Sequence, residues 1–339
     1  MLHIMLTDLV PIFVIMILGY VSGKRGEFNA QNARSLNTFV LNYALPAALF
    51  VSIVKADRSM LFSDIRLSLV SLGVIVGCYF ISYYSCLKFF KHTKPEASIA
   101  GLIGGAPTIG YLGFAVLEPI YGTSATVGLV VAVVAIVVNA IAIPIALVLL
   151  NPSDEKTTAA PVKAIEAGAT PLKPIQTPGT SATKNAGITA LANALKEPVC
   201  WSPILAVLIV LTGYRFPTVL DPTFNLIAKA NAGVAVFAAG ITLSTNAFKI
   251  NWEIVYNTFM KLIFMPAAML IAGLLAGMDG EKLQMLVLCG ALPPVFSGII
   301  IGSRYQTYVQ TGTSSLAVST FLFMATAPLW IWLARVFAG

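Results

Sequence analysis

Charge-free apolar runs of membrane-spanning length recur along almost the whole chain, and that recurrence dictates what it can fold into. They occupy roughly 9 to 23, 35 to 54, 67 to 87, 97 to 117, 198 to 214, 230 to 248, 262 to 278, 283 to 303 and 305 to 334. The stretch from 119 to 153 holds one more helix after a turn at Tyr121-Gly122-Thr123-Ser124, which makes ten spans. Each approaches the ~20 residues a helix needs to cross the hydrocarbon layer. With 58% hydrophobic and 10% charged residues among 339, and a mean hydropathy of +0.86, an all-α integral membrane protein is the expected class. The first span has no basic leader or Ala-x-Ala-like cleavage site, so it reads as retained.

The net charge of +7 points to topology, because the basic residues are scattered through the loops between spans. With the N-terminus outside, Lys24, Arg25, Arg34, Lys88, Lys91, Lys94, Lys249 and Arg304 face inward with five linker lysines, and Lys55, Arg58, Arg66, Arg215, Lys282 and Arg335 face outward. Nucleic acid is not an expected partner. Cys78, Cys86, Cys200 and Cys289 lie in or at the ends of apolar spans without Cys-x-x-Cys spacing, so buried free thiols are expected and no metal or cofactor is implied.

Two of the spans are interrupted at corresponding places, by Gly104-Gly105-Ala106-Pro107-Thr108-Ile109-Gly110 and by Gly290-Ala291-Leu292-Pro293-Pro294. A helix broken at membrane depth leaves N–H and C=O groups that lipid cannot satisfy, so they must face protein, water or a ligand. Paired broken helices mark a transporter site. Residues 151–196 are rich in Ala, Thr, Pro and Lys with few large apolar residues and read as a flexible hydrophilic linker on the cytoplasmic side, with Ile188 to Lys196 able to form a short surface helix. The linker separates a first five-helix repeat, 1–150, from a second, 197–339.

The halves echo one another in order. Pro11-Ile12 before Gly19-Tyr20 returns as Pro203-Ile204 before Gly213-Tyr214, Gly105-Ala106 as Gly290-Ala291, and Ala142-Ile143-Pro144-Ile145 as Thr326-Ala327-Pro328-Leu329. Five spans per half reverses the second half in the membrane, so an inverted repeat with broken crossover helices 4 and 9 is expected.

The second span, Leu36-Asn37-Thr38-Phe39-Val40-Leu41-Asn42-Tyr43-Ala44-Leu45-Pro46-Ala47-Ala48-Leu49-Phe50, resembles the auxin efflux carrier family. The resemblance continues through Gly110-Tyr111-Leu112-Gly113, the seventh span, and Leu292-Pro293-Pro294 to Pro328. It is closest to a bacterial branch that includes malonate and oxalate carriers, on Asp221-Pro222-Thr223-Phe224-Asn225-Leu226-Ile227-Ala228-Lys229-Ala230-Asn231 and Phe296-Ser297-Gly298-Ile299-Ile300. It implies ten helices of the bile acid and auxin carrier type, a scaffold from spans 1, 2, 6 and 7, and an elevator-like moving domain from the rest. The chain departs from it at Thr108, where family members commonly carry Asn, and at Ala115, where they carry Pro. Thr108 retains a hydroxyl, and anion contacts at that position stay open.

The expected substrate-binding residues are therefore Gly105, Ala106, Pro107, Thr108, Ile109, Gly110 and Tyr111 in the first crossing, and Gly290, Ala291, Leu292, Pro293, Pro294 and Ser297 in the second. Asn42, Pro46 and Lys229 join them. Lys229 either meets an entering carboxylate or snorkels to the interface; for Asn42, Pro46, Thr245 and Ser297 helix packing is the competing role. Asp8 and Glu118 sit near helix ends, Arg304 reads as a cytoplasmic anchor, and Trp330 and Trp332 read as an interfacial belt.

The expected activity is secondary transport of a small organic anion such as oxalate or malonate across a bacterial inner membrane. A coupling ion (proton or sodium) or a counter-anion, the lipid bilayer and a second copy as a homodimer are the other partners in view. An enzyme is not expected, since His3 and His92 are the chain's two histidines and neither a Gly-x-Ser-x-Gly motif nor paired intramembrane aspartates occur. A transporter-like receptor that binds without flux is the alternative.

Overall fold

The computed structural model describes residues 10–54, 64–122, 124–150, 198–214, 217–245 and 251–339. The 151–196 linker, Asp8, His3, Lys55, Arg58, Arg215 and Lys249 lie outside the described residues, as do the side chains of Tyr111, Cys200, Lys229 and Thr245. Among the described residues regular structure is helical, apart from one isolated β-bridge.

The helices are α1 (Val10–Lys24), α2 (Ala30–Phe39), α3 (Leu45–Val54), α4 (Ile65–Lys88), α5 (Lys94–Gly105), α6 (Ile109–Tyr121), α7 (Ala125–Ile136) and α8 (Ile143–Leu150) in the first part of the chain. Then come α9 (Pro198–Thr212), α10 (Asp221–Thr245), α11 (Trp252–Phe259), α12 (Met265–Leu275), α13 (Gly280–Ala291), α14 (Phe296–Arg304) and α15 (Val309–Ala338). Four continuous helices, Ile65–Lys88, Thr126–Leu150, Trp252–Leu275 and Val309–Ala338, are long and apolar enough to cross a bilayer.

Local chemistry sets where helices begin. Side-chain oxygens of Asn29, Asp64, Ser124 and Asn251 accept from Asn32, Leu67, Val127 and Ile254 backbone N–H groups, and Glu96 reaches back to the Thr93 N–H. Each such cap satisfies donors that the first turn leaves unpaired. Three spans widen into π turns, at Val40–Ala44, Val137–Ala142 and Met260–Phe264, and each is followed closely by a proline, Pro46, Pro144 or Pro266. Proline removes a donor and crowds the preceding turn, and the wider π turn absorbs that clash without ending the helix.

Packing falls into two groups. α1 lies against α10, α9 against α3, and α10 also against α2 and α3, forming one body. A Cβ on Gly19 would collide with the Phe237 carbonyl, and one on Gly240 with the Met16 carbonyl, so paired glycines bring α1 and α10 into backbone contact. The second group joins α4 to α5 and α12, α13 to α12 and α15, α11 to α15, and α8 to α5. Its core includes Tyr79, Ile99, Ile103, Leu286 and Phe323.

α14 meets α2 and the Val40–Ala44 turn along a polar seam between the groups. Asn37 Nδ2 donates to Ser303 Oγ at 2.8 Å, Arg304 Nη1 to Asn42 Oδ1 at 3.2 Å, and Arg34 Nη2 to Gln306 Oε1 at 2.7 Å. A cavity of about 180 Å³ lined by Arg34, Thr242, Ser303 and Gln306 opens there.

Two sequence expectations are corrected. Trp332 is exposed, as a belt residue would be, but Trp330 turns inward and donates Nε1 to the Leu262 carbonyl at 2.7 Å. Leu262 stands four residues before Pro266, which has no N–H to offer it. The span read as 262 to 278 begins at Trp252, so Lys261 lies inside it. A charge-free run cannot reveal a charge that a span tolerates.

Candidate functional site

The two interruptions meet. α5 ends at Gly105 and α6 begins at Ile109, while α13 ends at Ala291 and α14 begins at Phe296. Between them Pro107 and Pro294 pair as an antiparallel bridge, with Thr108 N–H donating to the Pro293 carbonyl and Val295 N–H to the Ala106 carbonyl, both at 2.9 Å. Each broken backbone thus supplies a partner that the other lost where its helix was interrupted. Thr108, at φ −79 and ψ 55, is the centre of an inverse γ-turn closed by Ile109 N–H to the Pro107 carbonyl at 2.8 Å.

The crossing also sets two helix N-termini, those of α6 and α14, beside the bridge. The first N–H groups of a helix have no intrahelical acceptor and carry the positive end of its dipole. Residues 101–109 and 283–303 are buried, whereas Gly110, in the first turn of α6, is exposed with open space beside it. Thr108 is 1% exposed and its Oγ1 has no hydrogen-bond partner. A buried hydroxyl without a partner is uncommon and calls for one.

Gly105, Ala106, Pro107, Thr108, Ile109, Gly290, Ala291, Leu292, Pro293, Pro294 and Ser297 are all gathered at or beside this crossing. A Cβ on Gly105 would strike the Tyr79 backbone, which explains the glycine as a close helix approach. Asn42 sits on the seam bound to Arg304, and the Pro46 carbonyl accepts from Ser202 Oγ at 2.7 Å. Arg304 therefore ties the two groups together. The Tyr111 and Lys229 backbones belong to α6 and α10.

The sequence reading missed Lys261. It is 0% exposed, and its Nζ donates to the Gly290 carbonyl at 2.6 Å and lies 3.0 Å from Met265 Sδ. In an uninterrupted helix the Gly290 carbonyl would accept from residue 294, which is proline. Lys261 supplies the missing donor. The signal was present as the Asn251 cap, which starts the helix early enough to put Lys261 mid-span.

A second polar cluster lies where α4, α5, α11 and the α14–α15 connection converge. His92 Nε2 is 3.0 Å from Glu253 Oε2, its Nδ1 is 3.2 Å from Glu96 Oε2, and Tyr308 donates to Glu253 Oε1 at 2.6 Å. Asn257 Nδ2 adds bonds to Tyr308 at 2.9 Å and Ser315 at 3.1 Å. Burial pulls the His92 imidazole down, but hydrogen bonding and charge from Glu253, then from Glu96, outweigh it, and its pKa is raised above the ordinary value. Cys86, His92 and Glu253 bring three donor atoms within 4.8 Å of one another, the set a soft cation could use; here they are hydrogen-bonded among themselves.

Over residues 4–331 the sequence matches the family described as "Membrane transport protein". It is similar to the Escherichia coli (strain K12) protein named "Uncharacterized transporter YfdV", with 55% identity over 336 residues and 99% of each chain covered. It is 26% identical over 330 residues to the Rhizobium meliloti (strain 1021) protein named "Putative malonate transporter", covering 96% of this chain and 94% of that one. Arabidopsis thaliana "Auxin efflux carrier component 4" is 23% identical over 128 residues, which is 35% of this chain and 21% of the relative.

Proposed function

Because this chain belongs to the membrane transport protein family, we propose that it is a secondary transporter of small organic anions, mono- or dicarboxylates such as oxalate or malonate, in a bacterial inner membrane. The bridged crossing of Pro107 and Pro294 carries the reading. It sets two positive helix ends and the partnerless Thr108 hydroxyl beside the exposed Gly110, a combination suited to a carboxylate. The name of the Rhizobium meliloti relative points the same way.

In this reading ten spans form two inverted five-helix repeats, with α5–α6 and α13–α14 as the broken crossover helices. The α1–α3 and α9–α10 body is the scaffold, and the other group carries the crossing past it in an elevator-like movement. The division of the packing into two groups, with side-chain polar contacts and apolar packing between them, supports this assignment. Gly105 to Tyr111 and Gly290 to Pro294 with Ser297 form the site, while Asn42, Pro46 and Lys229 line the path to it.

The test is uptake of labelled oxalate and malonate into proteoliposomes, with pH, sodium and counter-anion gradients imposed one at a time. Saturable flux is expected. Binding without flux assigns a receptor role, and neither binding nor flux removes these anions from the substrate class.

A further inference from the structure

Lys261 is a fully buried amine in a membrane span, and among the described residues no carboxylate lies within salt-bridge distance of it. Its partners are a carbonyl and a thioether, both uncharged. Charged groups placed this deep are expensive and mark functional sites. The carbonyl is informative, because Gly290 is in the last turn of α13, whose dipole presents its negative end to the crossing.

An anion at the crossing would meet two favourable helix N-termini and, close by, the carbonyl ends of α5 and α13. A bare carbonyl end deprived of its donor by Pro294 is also the kind of oxygen site that hard alkali cations bind. Lys261 removes both problems at the α13 end. It reaches the carbonyl at 2.6 Å from a π turn directly before Pro266, where the helix is widened and its side chain is aimed across to α13.

We propose that Lys261 is a tethered cation: its ammonium holds the Gly290 carbonyl, offsets the negative end of α13, and lets the crossing take a carboxylate without a co-bound alkali ion. A buried ammonium without a counter-charge is costly, so Lys261 carries its proton together with the bound anion, and it is a positioning residue that selects anionic solutes. This rests on the anion-transport reading above, and it narrows coupling to a proton or a counter-anion.

The test uses the full chain in proteoliposomes with labelled malonate, in sodium or in N-methylglucamine medium. Wild type is expected to carry malonate equally in both. Lys261→Met, which keeps the bulk and removes the charge, is expected to fold with a similar unfolding temperature and to raise KM by about tenfold or more. Lys261→Ala is expected to regain flux when methylammonium is added, as the free amine fills the vacated place. Wild-type flux that requires sodium, a Lys261→Met variant with wild-type KM, or a Lys261→Ala loss that methylammonium leaves untouched would each overturn the proposal. If wild type moves neither malonate nor oxalate, the transport reading fails separately. Lys261 is then judged by unfolding temperature: a rise for Lys261→Ala with methylammonium supports the tethered cation, and no rise overturns it.

Discussion

Single residues at the crossing are held by hydrogen bonds that the interrupted helices cannot make for themselves, so their substitution separates transport from folding. Thr108 is the clearest case, with its hydroxyl buried and unpartnered. Thr108→Val keeps the shape and removes that hydroxyl. We expect an unchanged or slightly raised unfolding temperature and a KM for the anion raised severalfold, since one hydrogen bond is worth about 1 kcal/mol; an unaltered KM would place the solute elsewhere. His92 works differently, through pH. Its pKa is raised in the fold by Glu253 and Glu96 against the opposing effect of burial, so the folded protein holds the proton more tightly than the unfolded chain. That stabilisation is complete below the ordinary histidine value of about 6.5 and is lost as pH rises through the folded value. Thermal unfolding measured between about pH 6 and pH 8 should show wild type losing stability with pH and His92→Gln losing less; parallel curves would contradict the assignment.

Prolines organise the elements. Pro107 and Pro294 end helices and are joined by the bridge, whereas Pro46, Pro144 and Pro266 are absorbed by π turns, and Trp330 Nε1 serves the carbonyl ahead of Pro266. Pro107→Ala or Pro294→Ala returns a backbone donor and lets the helix run on. Uptake should fall at least tenfold or so while the unfolding temperature falls only slightly, and wild-type uptake would show that the breaks are incidental. Trp330→Phe should destabilise by about 1 kcal/mol through the orphaned Leu262 carbonyl, read by chemical or thermal unfolding. The prolines were legible in the sequence because each one dictates a local backbone event. So were the paired breaks, since Gly and Pro at matching places state that two backbones must be satisfied by something other than their own helices. Lys261 was hidden by the charge-free runs, which mark a lysine as an edge; the Asn251 cap was the legible sign that it lies mid-span, and its partner Gly290, distant in sequence, was not legible at all. Trp330 failed for a similar reason: belt and core tryptophans share a composition, and the deciding partner is a carbonyl far along the chain.

At the scale of the whole molecule, two helix groups share a seam with side-chain polar contacts, among them Asn37 to Ser303, Asn42 to Arg304 and Arg34 to Gln306, beside apolar packing of Met16 and Val236 on Phe296, Ile299 and Leu316. Contacts of that kind can exchange partners as one body moves along another, whereas the glycine-paired α1 and α10 pack backbone to backbone and suit a rigid frame. We propose an elevator movement in which a carboxylate crosses with the bridged breaks as the second group moves against the first. It is tested most directly by labelled malonate uptake in an Asn37→Cys and Ser303→Cys double variant, before and after a short reducible thiol cross-linker, with identically treated wild type as the control for the native thiols. Uptake that stops on cross-linking and returns on reduction is the expected result; full uptake through the cross-linked protein would contradict it.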